Sequence, residues 1–600
     1  MTKRIRMTNV AAAVAIKSYR RMTVEMGAPA RSLQLKTMHT PDFLAFPTPP
    51  LSGNVDTGLQ ILDGRFTFGG QSLDVGENGD PWSNAAPSEK FAFRLHSFEW
   101  LKDLDAVATD PKLNKTQPHQ VAKAKTRAQF LFDRWIGIFG EWNPYSWDED
   151  ILSNRLFELL SYWKNLFYEG EDTDQQSTRK RNLFRQLKRL KKTYNRTPEG
   201  ISKLKAAATM VLGGACLTGR TDVYLDKGLD LVEDEIDKQI LADGGHVSRS
   251  PLRCVEALEI LLTIESALVK REIQGSKQIQ RAIDRLSPMI RFFSLPEHGF
   301  FSFNGSGEFS AKRLDNLLRQ VSVGSKRFGY APHTGYQRLE RNGTVIMADS
   351  GSSPERPYDL EAHLAPLAFE MATEAGRLIV NCGWNDNQPS QWREPMRATA
   401  AHSTLVLGNK NAGKLLSGGL AEQVMGPAIQ FPAGPTRSSR KEQDVGTWLE
   451  ASHEGYLADF GLIHRRRLYL DATGEDFRGE DSLLVPLGEA PLTSDLIPFA
   501  IRFHLAPRTR VTLAQDQNSA LLIQPGGQGW RFRTDGGPLK LEKSVYLARG
   551  HRPIRTEQLV ILGQAYGDGD GQARTNRVRW TLKKMGKVDQ NITQRKSTSR

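Results

Sequence analysis

Near residue 330 the spacing of apolar residues along this chain changes from the helical period to a period of two, and it does not change back. Upstream, FAFRLHSFEWLKDL carries Phe93, Leu95, Phe98, Leu101 and Leu104 mostly on one helical face. AQFLFDRWIGIF, ILSNRLFELLSYWKNLF, ISKLKAAATMVLGGACL, LDLVEDEIDKQIL and PLRCVEALEILLTIESALV repeat that pattern. Downstream, TVIMADSG, RLIVNCGW, STLVLGN, RRRLYLDAT, FAIRFHLAP and WRFRTDG are short alternating runs broken by Gly, Asn, Asp and Pro. Helices first and strands afterwards exclude an interleaved βαβ sheet and predict an α+β chain of two differently built layers. Many amphipathic helices cannot each bury an apolar face alone, so they must stack in pairs, as a bundle or a closed ring of hairpins. The strand half predicts an antiparallel sandwich or barrel.

Six hundred residues exceed one hydrophobic core. The expected divisions are a basic arm over 1–40, an extended lead-in over 41–90, a helical domain over 91–325, a strand domain over 326–585 and a disordered basic tail over 586–600. The net charge of +13 points to a polyanionic partner such as acidic polysaccharide, or to charge spent on tails and solvated helix faces. RKRNLFRQLKRLKKTY reads as such a helix: Leu183, Leu187, Leu190 and Tyr194 form the apolar stripe and cations cover the rest. Nucleic acid is disfavoured, because stacking aromatics are scarce among the basic residues of the arm and of this helix. Three distant cysteines, Cys216, Cys254 and Cys382, argue against a disulfide framework. The run Val10–Ile16 is followed by Lys17, Arg20 and Arg21 rather than a cleavage site, and reads as a basic amphipathic arm. No run reaches the ~20 apolar residues of a membrane span. Walker, dinucleotide and GxSxG patterns are absent from the sequence.

One short connection stands out. In ADGGHVSRSP (242–251), Asp243, Gly244 and Gly245 end one helix, Ser250 is placed to cap the next, and Pro251 suits its first turn. The capping chemistry does not need His246 or Arg249. This segment, followed by YQRLERNGTVIMADSG, RATAAHSTLVLGN and ASHEGYLADFGLIHRRRLYLD, resembles the heparinase II/III-like family of polysaccharide lyases over about residues 90–585. The resemblance implies an N-terminal (α/α) toroid followed by an antiparallel β-sandwich, with a glycan bound between them. It implies cleavage of a uronate-containing acidic polysaccharide by β-elimination and a cell-envelope or periplasmic location. The direct reading of the N-terminus favours the cytoplasm. The alternative function is a non-catalytic carbohydrate-binding or cell-envelope protein on the same scaffold.

β-Elimination needs a group that neutralises the uronate carboxylate, a base for the C5 proton and an acid for the leaving oxygen. By resemblance, His246 and His402 are the catalytic histidines. Arg249 is the bidentate carboxylate contact, with Ser248 and Asn304 beside it as substrate contacts. Family members carry Tyr-His soon after the Ser-Pro, where this chain has Arg253 and Cys254. Where the family places its tyrosine this chain reads HGFFSFNGSG, with Phe300, Phe301 and Phe303. A phenyl ring has no proton to give, so the acid falls to Tyr336, or else Tyr456. No cofactor is required for the reaction. A structural zinc on His402 and His453 is the metal site the resemblance implies, with Glu422 as a candidate carboxylate. His464, alternating with apolar neighbours, reads as structural.

Overall fold

A computed structural model describes residues 39–168, 173–219, 222–295, 299–321, 328–434, 436–568 and 575–587. Residues 1–38 of the basic arm and all but the first two residues of the tail lie outside these. The helical half contains the long helices Pro118–Phe139, Glu149–Leu166, Asp174–Thr193, Ile201–Cys216, Asp222–Gln239, Pro251–Lys270 and Lys277–Phe293. Successive helices pack on one another around one aromatic-rich core containing Trp100, Trp135, Trp163 and Phe132. The lead-in is not merely extended: Val55–Leu62 is a helix capped by Asn54, and Arg65–Phe68 pairs with Gln71–Asp74 as a hairpin. Ile61, Leu62 and Phe66 are buried in the helical core, so this segment belongs to that domain.

The helix Asp174–Thr193 departs from the expected solvated face. Arg179 pairs with Asp133 (2.6 Å), Lys180 with Asp42 (2.7 Å), Arg185 with Glu141 (2.6 Å) and Arg189 with Glu149 (3.1 Å). Periodicity marks which residues are polar, but not that carboxylates of neighbouring segments come to meet them.

The strand half is a sandwich of two antiparallel sheets. One runs Leu539–Tyr546, Ile554–Tyr566, Leu496–Leu505, Gly376–Val380, Phe369–Thr373, Thr344–Asp349, Tyr336–Arg341 and Tyr330–Ala331, with Leu405–Leu407 also paired to Leu496–Leu505. The other runs Thr436–Gln443, Gly446–His453, Ile463–Asp471, Asp476–Leu484, Arg577–Lys587, Gln528–Thr534, Ser519–Ile523 and Arg510–Leu513. Alternating inward side chains from both sheets, among them Phe369, Phe477, Phe503, Phe532 and Trp580, form the second core. Thr344–Asp349 is buried on both faces, because Val345 and Met347 join the helical core while Ile346 and Ala348 join the sandwich core. This sheet is therefore the layer shared by the two halves, as the helix-then-strand pattern requires of a chain whose domains pack face to face.

Candidate functional site between the helical and strand domains

The segment 240–250 is a closed turn held by backbone bonds from Leu241 to Gly245 (2.8 Å) and from Val247 to Gln239 (2.8 Å). Its glycines do more than end a helix. A Cβ on Gly244 (φ +87°) would lie 2.0 Å from the Arg285 carbonyl oxygen, and one on Gly245 would lie 1.8 Å from Thr334 Oγ1. The turn is thus pressed between the helix Lys277–Phe293 on one side and the strand domain on the other. Asp243 fixes the contact by accepting from His333 N (2.9 Å), Thr334 N (2.7 Å) and Thr334 Oγ1 (2.7 Å). Pro251 does open the next helix, but the Ser250 hydroxyl makes no capping bond, and nothing in the structure explains its orientation.

His246 is 2% exposed. Its Nδ1 accepts from Ser248 N (3.1 Å) and meets Ser248 Oγ (2.7 Å), which leaves Nε2–H to donate to Gln239 Oε1 (3.0 Å). Burial, with the positive Arg253 in addition, pushes its pKa down to about 3. Arg249 is also buried, in a left-handed conformation (φ +60°). Its guanidinium is spent on the strand domain: Nε donates to Thr334 O (2.7 Å), Nη1 to Ser352 O (2.9 Å), and Nη2 to the Asp349 carboxylate. Arg253 pairs across the junction with Glu361 (2.5 Å) and along its own helix with Glu256 (2.5 Å).

Tyr336 is fully buried. Its hydroxyl donates to Arg249 O (2.9 Å) and accepts from Asn304 Nδ2 (2.7 Å). Burial and the Asp349 charge raise its pKa far above the phenol range. Asn304 Oδ1 accepts from His363 N (3.0 Å), and His363 Nδ1 lies 2.8 Å from His402 Nε2. The partners order the tautomers. Gly305 N donates to His363 Nε2 (3.1 Å), so His363 Nδ1–H donates to His402, whose Nδ1–H donates to Ala398 O (2.8 Å). Both rings are neutral: burial lowers His402 to about 4, and burial with the adjoining His402 lowers His363 further.

Four of the sequence-selected residues, Arg249, Asn304, Tyr336 and His402, therefore join one buried hydrogen-bond chain, completed by His363. His246 and Ser248 adjoin it through the Arg249 N–His246 O bond (2.8 Å). The two histidines do not face each other over a groove. Each spends its ring nitrogens on its own partners. Neither lines the 870 Å³ cavity that residues 308–311 of the helical half form with Arg377, Arg508 and Arg549 of the strand half, nor the 770 Å³ cavity on the strand domain.

The metal expectation is also redistributed. His453 sits opposite His464 on adjacent strands, with His453 Nε2 3.1 Å from His464 Nδ1 and His464 Nε2 2.8 Å from Asp481. Asp481 also takes Arg466 Nε (2.7 Å) and Trp580 Nε1 (2.9 Å). His402 is thus engaged with His363 and His453 with His464. Glu422 instead accepts from Gly418 N (2.6 Å). Among the described residues no group of three or more His, Cys, Asp or Glu side chains is arranged to hold a metal. Tyr456, the second candidate acid, donates to Leu405 O (2.9 Å) in the sandwich core. His363, Asp243 and Asp349 were not among the selected residues. Only the length-independent pairing of distant loops reveals them, and the sequence carries no spacing signal for it.

Residues 324–581 match the model of the heparinase II/III-like C-terminal domain. FtsZ-localized protein C of Caulobacter vibrioides (strain NA1000 / CB15N) is 34% identical over 532 residues, 88% of each chain. The chain belongs to the heparinase II/III-like family. Among solved members of this fold, heparinase III superposes with a TM-score of 0.66 at 15% identity, covering 95% of this chain and 91% of that one. Heparan sulfate lyase HepC from Pedobacter heparinus gives 0.58 at 14% identity, covering 97% and 91%. The family architecture of a helical domain followed by antiparallel sheets is therefore the one present here. Among the described residues no helix is long and apolar enough to cross a membrane.

Proposed function

We propose that this protein is a non-catalytic, carbohydrate-binding member of the heparinase II/III-like family, acting at the cell envelope where FtsZ is localised. The observation that carries the first part is the Tyr336 hydroxyl. It is fully buried, and both its hydrogen bonds go to the helical domain. A general acid must reach the leaving oxygen at hydrogen-bond distance. Phe300, Phe301 and Phe303, where the family's tyrosine is expected, are themselves in the core. Arg249 is buried, already neutralised by Asp349, and turned onto Thr334 O and Ser352 O rather than towards a uronate carboxylate. What the lyase scaffold uses as a reaction site serves here as the clasp between two domains. The second part rests on the name of the Caulobacter relative.

The test is to incubate the purified chain with heparin, heparan sulfate, chondroitin, hyaluronan and alginate, and to follow the ultraviolet absorbance of an unsaturated uronate, with heparinase III as the positive control. The expected result is binding to an acidic glycan without any rise in absorbance. A steady rise that is lost in Tyr336→Phe would overturn the non-catalytic reading. A fluorescent fusion that ignores FtsZ position would remove the localisation.

A further inference from the structure

At the clasp the cations are paired, Arg249 with Asp349 and Arg253 with Glu256 and Glu361. A separate group of cations lies on the outward face of the second sheet. Strand alternation puts one set of side chains into the core and the other into solvent. The cross-strand register then places the outward residues in rows. One row carries Arg437, Arg465 and Arg577, separated by Ser452 and Ser482. The next carries Arg467 and Arg579 beside Glu450 and Glu480. A third aligns Trp448 and Tyr469 with Arg478 and Arg533. Asp476, Lys583 and Arg531 form a fourth.

Asp476 pairs with Arg478 (2.6 Å) and Glu450 with Arg467 (2.5 Å), but one acid of this face is over-subscribed. Glu480 alone is shared by Arg467 (3.3 Å), Arg577 (3.9 Å) and Arg579 (3.4 Å), so one carboxylate faces three guanidiniums. Arg465 Nε is buried in the middle of its row with no hydrogen-bond partner among the described residues. A buried, unpaired guanidinium donor costs free energy unless something accepts from it. At the end of the third row, the Trp448 ring packs on Tyr469 with centroids 4.3 Å apart while remaining 46% exposed. It offers one open aromatic face next to the arginines.

We propose that this sheet face is the binding site for a linear acidic polysaccharide, its carboxylates or sulfates held by the arginine rows and one sugar ring laid on Trp448. The proposal rests on the carbohydrate-binding reading above and places it on the outward face of the second sheet rather than at the clasp. Guanidinium forks suit the planar oxyanions of uronate and sulfate. A twisted sheet presents a diagonal saddle that a linear chain can follow across several rows. A single-stranded nucleic acid would call for several stacking aromatics in succession, whereas these rows hold one aromatic pair. A membrane surface would call for an apolar cluster to bury between the charges, whereas Trp448 stands among Arg, Lys, Ser and Glu.

The experiment compares the full chain with the triple variant Arg465→Gln, Arg577→Glu, Arg579→Glu, and separately with Trp448→Ala. The probes are heparin and alginate in calorimetry at two salt concentrations. The expected outcome is a loss of about tenfold or more and a shallower salt dependence for the triple variant, because fewer ions are released on binding. Trp448→Ala should weaken binding several-fold at unchanged salt slope. Circular dichroism and melting of the variants should match the parent, since the substituted groups project outward. Parent-like affinity in both variants would overturn this site and leave the carbohydrate reading standing. A parent chain that binds neither probe would overturn both. Tighter binding to an oligonucleotide, or to vesicles of phosphatidylglycerol, that is lost in the triple variant would reassign the face to that class of partner.

Discussion

Replacing Tyr336 by Phe removes one oxygen and leaves the ring packed against Phe293 and Phe303. The change therefore isolates the clasp. Two hydrogen bonds disappear: the one donated to Arg249 O and the one accepted from Asn304. Each is worth about 0.5–1.5 kcal/mol net, and a buried group left unpaired costs about 1–3 kcal/mol. Asn304 Nδ2 already lies 3.4 Å from Arg249 O and can turn fully onto it, so one orphan pair is partly re-satisfied. The balance is roughly 1–2 kcal/mol of destabilisation. For the two halves melting as one unit that is a fall of only about 1–2 °C in melting temperature, so chemical unfolding is the more sensitive measure. Urea unfolding followed by tryptophan fluorescence and far-ultraviolet dichroism reads it, and Asn304→Ala provides the double-mutant cycle. A coupling energy of about 1 kcal/mol between the two positions is expected of groups in direct contact. Unchanged stability in Tyr336→Phe, together with no coupling to Asn304, would refute the idea that this hydroxyl ties the domains together.

Acid should weaken the junction. The folded pKa of His402, about 4, lies below its unfolded value of about 6.5. Its contribution is therefore complete above pH 6.5 and is lost as pH falls towards 4, on the order of 3 kcal/mol for this buried group; His402→Gln should flatten the stability–pH curve over that window. Asp481→Asn removes the negative partner of the buried Arg466 and should cost about 3–5 kcal/mol, seen as a lower urea midpoint or loss of soluble protein. Asp243→Ala removes the acceptor of three bonds from 333–334 and should expose the junction to limited proteolysis before the sandwich itself is cut.

Helices, strands and the boundary between them were legible in the sequence, because apolar spacing is a local property that backbone geometry turns directly into a buried face. The turn at 242–251 was legible for the same reason, through Gly244, Gly245 and Pro251. The roles of its polar residues were not. His246 and Arg249 look alike in sequence whether they line a cleft or lock into a core. What decides between these is where Asp349, Asn304 and Tyr336 arrive from elsewhere in the chain. Likewise, RRR at 465–467 is one basic run in the sequence, yet strand alternation buries Arg466 on Asp481 and turns Arg465 and Arg467 outward. Composition determined that the chain would carry surplus positive charge. Only the register of six strands, set by the packing of their inward faces, decided that arginines distant in sequence would share one surface.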